Sequence, residues 1–166
     1  STQAKTLFPY TTLFRSLNDT EQRLAKYLAK KRFEHNRKSH TTNARIGPQS
    51  DEVTDLEGIG AEIAYCKLMN VFPDTNIDER PANDCILKNG KTVDVKTTKY
   101  KNGHLIAVCK KAKMEEQPDI YALMVGVFPK YRFAGMMDSK ELLKEERLKD
   151  LGYGPTFAAK QQELHT

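Results

Sequence analysis

The sequence predicts an α+β (α/β) fold, a mixed β-sheet core flanked by helices, and three observations carry that prediction. Two N-terminal stretches repeat apolar residues at three- and four-residue spacing, Asn89-Gly90 separates two alternating segments, and Tyr121–Phe128 (YALMVGVF) is apolar almost throughout. The length of 166 residues fits one domain with one modest core. With 9 Gly, 3 Cys and no apolar run of bilayer length, collagen-like, disulfide-scaffold and membrane-spanning classes drop out.

Thr6–Ser16 reads TLFPYTTLFRS and resembles the in-frame translation of a widely used sequencing-adapter oligonucleotide. Residues 1–16 are therefore set apart as a non-native segment, which implies a metagenomic assembly and a missing true N-terminus. A native aromatic strand is the alternative. The net charge of +5 falls to +3 without Lys5 and Arg15, a mild bias toward a polyanionic partner. No secretory signal is legible, and Cys66, Cys85 and Cys109 lack any CxxC spacing. They read as reduced packing thiols of a cytoplasmic protein. The four histidines offer no zinc pattern.

Residues 17–55 read as a helix followed by a polar segment. Asn18 or Asp19 can cap a helix from Leu17 to about Arg37, with Leu24, Tyr27 and Leu28 on its apolar face. Arg23, Lys26, Lys30, Lys31 and Arg32 then belong to a solvated outer face. Lys38–Asp55, broken by Gly47-Pro48, reads as a loop, and Asp55 caps a second helix from Leu56 to Asn70.

Residues 56–166 hold the remaining elements. Asp84–Lys88 and Lys91–Thr98 form a hairpin, and His104–Cys109 a third strand. Tyr121–Phe128 is a buried strand, and Arg132–Met137 returns antiparallel to it. Asp138 and Glu141 have capping-box spacing for a helix to Leu148, and Thr156–Lys160 can add a short edge strand.

The chemistry concentrates in Val93-Asp94-Val95-Lys96. On a strand, Val93 and Val95 share one face while Asp94 and Lys96 share the other. Alone, that pair reads as a surface ion pair. However, Asp84 lies on the other arm of the hairpin, and Glu62 lies on the preceding helix among Gly58, Gly60 and Ala61. Carboxylates from a strand pair and a helix at its edge can form an oxygen cage for Mg²⁺, and a neighbouring lysine can hold a water or stabilise charge on phosphate.

Glu62 in GIGAEIAYCK, Asp84 in PANDCIL, and Asp94 with Lys96 in VDVKTT together resemble the PD-(D/E)xK nuclease superfamily. The later DIYALMVG and YRFAGMM segments resemble small phage-encoded members. The resemblance spans about Leu56 to Met137. It implies a restriction-endonuclease-like mixed sheet of αβββαβ order and a Mg²⁺-dependent nuclease hydrolysing phosphodiester bonds of DNA, with Mn²⁺ able to substitute. It also implies that Asp84, Asp94, the Val95 carbonyl and Glu62 hold the metal while Lys96 activates water. Any phage-encoded member would act in the host cytoplasm. Two departures stand out. Pro81 precedes Asp84 by three residues, and Lys110–Pro118 is short for a crossover helix.

Strand parity supplies a test. A two-residue Asn89-Gly90 loop would set Asp94 opposite Cys85, whereas a three-residue Lys88-Asn89-Gly90 loop sets it opposite Asp84. Lys91, Lys99, Lys101 and Lys110 are the candidate nucleic-acid contacts, with Lys88, Lys111, Lys113 and Tyr100 near them in sequence. Thr97, Thr98 and His104 are secondary contacts, with a surface strand residue the alternative for His104, and Gln161 and Gln162 read as ordinary surface residues, with a late approach to the site as their alternative. No membrane partner is expected. The alternative functions are a catalytically inactive nucleic-acid-binding module of the same fold, and a plain α+β protein whose Asp94 and Lys96 form a surface pair.

Overall fold

A computed structural model describes residues 13–39, 50–79, 83–108, 116–152 and 154–166. The first helix, α1 (Asp19–Lys38), starts with a reciprocal cap. The Asn18 side chain accepts from Glu21 N at 2.9 Å, and Glu21 accepts from Asn18 N at 2.7 Å. Ala25, Leu28 and Ala29 pack inward. So does Arg32, at 2% exposure, which corrects the reading of that residue as solvated.

The second helix, α2 (Asp51–Met69), starts a turn earlier than the sequence suggested. Ser50, rather than Asp55, accepts from the first turn, and Asn70 closes the helix in the left-handed region. Residues 40–49 of the expected polar segment lie outside the described residues. At Gly60 a Cβ would collide with the Tyr131 and Phe128 side chains, so the glycine admits the sheet end against the helix.

The larger sheet contains β1 (Phe14–Ser16), β2 (Cys85–Ile86), β3 (Thr92–Thr98), β5 (Ile120–Val127) and β6 (Lys130–Asp138), in the order β1-β6-β5-β3-β2. The β3–β5 pair is parallel and the others are antiparallel. β1 falls within the segment set apart as adapter-like. Leu13 and Leu17 at its ends are buried, and the Leu13 carbonyl accepts from Phe133 N at 2.8 Å. A second sheet contains β4 (Leu105–Val108), β7 (Leu148–Asp150) and β8 (Pro155–Ala159), in the order β4-β8-β7.

Three expectations are corrected here. The third strand, β4, leaves the hairpin and joins the second sheet, so the β3-to-β5 crossover spans residues 99–119, long enough for a parallel return. β8 lies between two partners instead of at an edge. The helix expected to reach Leu148 is only α3 (Ser139–Leu142), followed by a 3₁₀ turn at Glu145–Arg147. Asp138 makes no side-chain cap bond, and the Glu141 carboxylate is engaged by Lys144 at 2.6 Å and Arg147 at 3.2 Å instead of reaching back, so neither half of the capping box forms.

Two cores result. One lies between the larger sheet and α1/α2 and includes Val93, Val95, Ala122 and Met124. The other lies between the opposite sheet face and the second sheet and includes Tyr121, Leu123, Val125 and Leu105. No described helix is long and apolar enough to cross a membrane.

Candidate active site at the β2–β3 edge

The hairpin turn has the longer of the two geometries. Leu87 N donates to Lys91 O at 2.9 Å and Gly90 N to Leu87 O at 2.9 Å, which leaves Lys88, Asn89 and Gly90 as a three-residue loop. Gly90 sits at φ +83°, the left-handed conformation that such a loop requires. The Asn89 side chain steadies the turn by accepting from Lys91 N at 3.1 Å. With Cys85 paired to Val93 and Ile86 to Thr92, the register continues to Asp84 opposite Asp94.

β2 begins only at Cys85, and the preceding Asp84 pairs differently from a regular strand residue. Its backbone N–H donates to Val93 O at 2.8 Å, and its carboxylate accepts from Val95 N at 2.6 Å. A strand residue's N–H and C=O project to the same edge, so the Val95 carbonyl also faces Asp84.

Asp94 and Lys96 extend from the sheet face opposite α2. Val93 and Val95 pack in the core with α2, whereas Tyr121 and Leu123, the register partners of Asp94 and Lys96, belong to the other core. Lys96 Nζ lies 2.6 Å from Asp94 Oδ1 and 5.8 Å from the Tyr121 ring centroid. Both side chains remain partly open to solvent, at 20% for Asp94 and 35% for Lys96. Tyr121 OH donates to Gln117 Oε1. Burial, followed by the charge of Asp94, pushes the Tyr121 phenol up to about 12.

Glu62 approaches from the α2 side. Arg32 Nη1 lies 3.4 Å from its Oε2, and Arg32 also donates to the Asp74 carboxylate at 3.1 Å and to the Asp74 and Asn76 carbonyls. Sequence reasoning missed this arginine. Its only signal was a helix position shared with Leu28 and Ala25, on the face that turns inward.

Electrostatically, Asp84 feels both of the other acids. Burial, then repulsion from Glu62 and Asp94, raises the Asp84 carboxyl well above the usual carboxylate range, while the Val95 amide and Lys96 pull it down. Nearby, the Cys66 and Cys85 thiols are free and buried between α2 and β2. The neighbouring Cys85 thiol, then burial, pushes Cys66 up. Cys109 lies outside the described residues.

Among the described residues, no three His, Cys, Asp or Glu side chains form a group at metal-ligating separation. Each carboxylate is turned to an internal partner: Glu62 to Arg32, Asp84 to the Val95 amide and Asp94 to Lys96. The donor chemistry nevertheless suits a hard cation. The groups are oxygen donors, two from the hairpin and one from α2, and the repulsion that adds to burial in raising Asp84 is what a divalent charge would relieve.

The other predicted contacts scatter. Lys91 lies at the start of β3, with Nζ 3.7 Å from Asp138, while Lys99 and Lys101 lie beyond its far end, so they do not form one patch. Lys110, Lys111 and Lys113 lie outside the described residues. Thr97 has the parity of Val93 and Val95, so it faces α2 rather than Asp94, and its buried hydroxyl lacks a hydrogen-bond partner among the described residues. Thr98 keeps the Lys96 parity, and its Oγ1 accepts from Tyr100 N at 3.2 Å. His104 is half-buried just before β4. Gln161 corrects its reading as ordinary surface: its amide donates to Lys101 O and Gly103 O, both at 2.9 Å, and accepts from Arg132 at 2.8 Å.

A family model described as a family of unknown function, DUF5843, matches residues 7–145. The chain belongs to that family. The match starts inside the adapter-like segment and includes Glu62, Asp84, Asp94 and Lys96. Neither curated proteins nor solved structures yield a match.

Proposed function

We propose that this DUF5843 member is a Mg²⁺-dependent nuclease of the PD-(D/E)xK type, hydrolysing phosphodiester bonds of DNA on a restriction-endonuclease-like core. One observation carries the reading. The three-residue turn sets Asp84 opposite Asp94, with Glu62 and Lys96 near enough to shift the ionisation of Asp84. The hairpin followed by the parallel β5, with α2 across one face, supports the finer fold assignment; β4 in the second sheet is a departure from it.

Asp84, Asp94, Glu62 and the Val95 carbonyl would hold the cation. Once bound, Mg²⁺ stabilises charge on phosphate and makes a water more acidic. Lys96, free of Asp94 when that carboxylate turns to a cation, orients the attacking water and balances charge on the phosphate oxygens. Arg32 holds Glu62 from the rear, placing a guanidinium beside the helix carboxylate in a buried position. Lys99 and Lys101 add electrostatic attraction for the DNA backbone.

A second reading, the inactive nucleic-acid-binding module, is favoured by the internal pairing of all three carboxylates. Cleavage of single- and double-stranded DNA with Mg²⁺ or Mn²⁺ separates the two. The nuclease should lose about a hundredfold or more of its rate in Asp94→Ala and Lys96→Ala. Metal-dependent cleavage that survives both substitutions refutes the assignment. Salt-sensitive binding without cleavage establishes the second reading.

A further inference from the structure

Tyr100 is 64% exposed, an aromatic ring displayed where burial would be favourable. The turn that carries it is held firmly. Gly103 N donates to Tyr100 O at 2.9 Å, Tyr100 N donates to Thr98 Oγ1, and Thr98 packs where a Cβ on Gly103 would stand. From the second sheet's end, Gln161 binds the Lys101 and Gly103 carbonyls and is itself held by Arg132. Lys99 and Lys101 flank Tyr100 in sequence, and Lys99 Nζ lies 5.4 Å from the ring centroid. Beside the turn, Asn102, His104, Lys160, Gln161 and Gln162 line a cleft of about 280 Å³.

An exposed ring on a hydrogen-bonded turn, with the Lys99 ammonium beside it and Lys101 next in sequence, is complementary to a π-face joined to phosphates. We propose that the 99–104 turn is a stacking site for an unpaired base of single-stranded DNA, with Lys99 and Lys101 on the adjoining phosphates. In its function the site rests on the nuclease reading, since Tyr100 follows Lys96 by four residues, at most about 14 Å of chain. A strand stacked there continues toward Asp94 and Lys96 along β3. In a duplex the bases are paired and stacked on each other, so the site selects single strands or frayed ends.

The test uses binding of fluorescein-labelled oligothymidine and of a blunt duplex, measured by anisotropy with a chelator present so that nothing is cleaved. Tyr100→Ala should weaken oligothymidine binding roughly 5- to 150-fold, and duplex binding less than about twofold if duplex bases do not stack there. The chain has no tryptophan, so Tyr100→Trp supplies a unique reporter. Its fluorescence should be quenched as unlabelled oligothymidine saturates, with affinity retained. Lys99→Ala and Lys101→Ala should each reduce the salt slope by about 0.7. Unchanged oligothymidine binding in Tyr100→Ala, an unquenched indole signal in Tyr100→Trp, or no oligothymidine binding at all overturns the site. Quenching in a protein without Asp94-dependent cleavage would sink the nuclease reading and leave the stacking site standing. Cleavage without quenching would do the reverse.

Discussion

The two sides of β3 hold similar charges in different surroundings. Behind the sheet, Arg32 is 2% exposed and divides its guanidinium among Glu62, Asp74 and two backbone carbonyls. In front, Lys96 and Asp94 form a closer pair, at 2.6 Å, that solvent still reaches. Loss of one member of a buried ion pair strands the other without water, whereas a partly open pair can exchange its partner for water or a ligand. The rear cluster therefore shapes the fold and the front pair is available for chemistry. Asp84, at the short edge between them, senses both.

The most severe challenge to this contrast is Arg32→Met. Stranding Glu62 and Asp74 should lower stability by about 3–5 kcal/mol, read from urea denaturation. Lys96→Met should cost about 0–1 kcal/mol, as expected of a partly exposed pair, while abolishing cleavage. Equal losses at the two positions would remove the distinction between front and rear.

Asp84 gives the next effect in size, through pH. Its folded carboxyl holds a proton more tightly than the unfolded chain's, whose aspartates titrate near 3.9. The stability contributed by protonated Asp84 is complete below that unfolded value and is lost as pH rises through the folded one. Thermal melts of the wild type should thus fall from mildly acidic pH upward, whereas Asp84→Asn should lack this component and be the more stable protein near neutrality. Mg²⁺ should raise the wild-type melting temperature and leave Asp84→Asn nearly unaffected, because a ligand stabilises only the state that binds it. Parallel pH profiles for the two proteins would show that the acids do not interact.

The least change belongs to a surface control, the Lys31–Glu34 pair on α1, whose side chains are 42% and 41% exposed. Lys31→Ala should change unfolding free energy by less than about 0.5 kcal/mol. A larger loss would mean that α1 depends on its outer face.

How far the sequence could be read depended on whether a feature was local. The Asn18–Glu21 cap, the apolar β5 and the Gly90 turn are written in neighbouring residues, and the turn alone decides that Asp84 meets Asp94. Arg32 was misread because guanidinium burial depends on acceptors at Asp74 and Asn76, some forty residues away. β4 was misplaced because a strand's alternation specifies its faces but not its partner. The Asp138–Glu141 spacing failed because Lys144 and Arg147 competed for the glutamate. In the candidate site, the acidic residues were legible as types and spacings, but their present orientation toward Arg32, Val95 and Lys96 arises only from packing.

The brevity of β2 has a further consequence. Were this strand one residue longer in regular pairing, a main-chain carbonyl would take the Val95 amide and the Asp84 side chain would be released from it. Selection for a sturdier border would thus work against the acidic corner, and the unfinished hem of the sheet is where tolerance for instability has been kept.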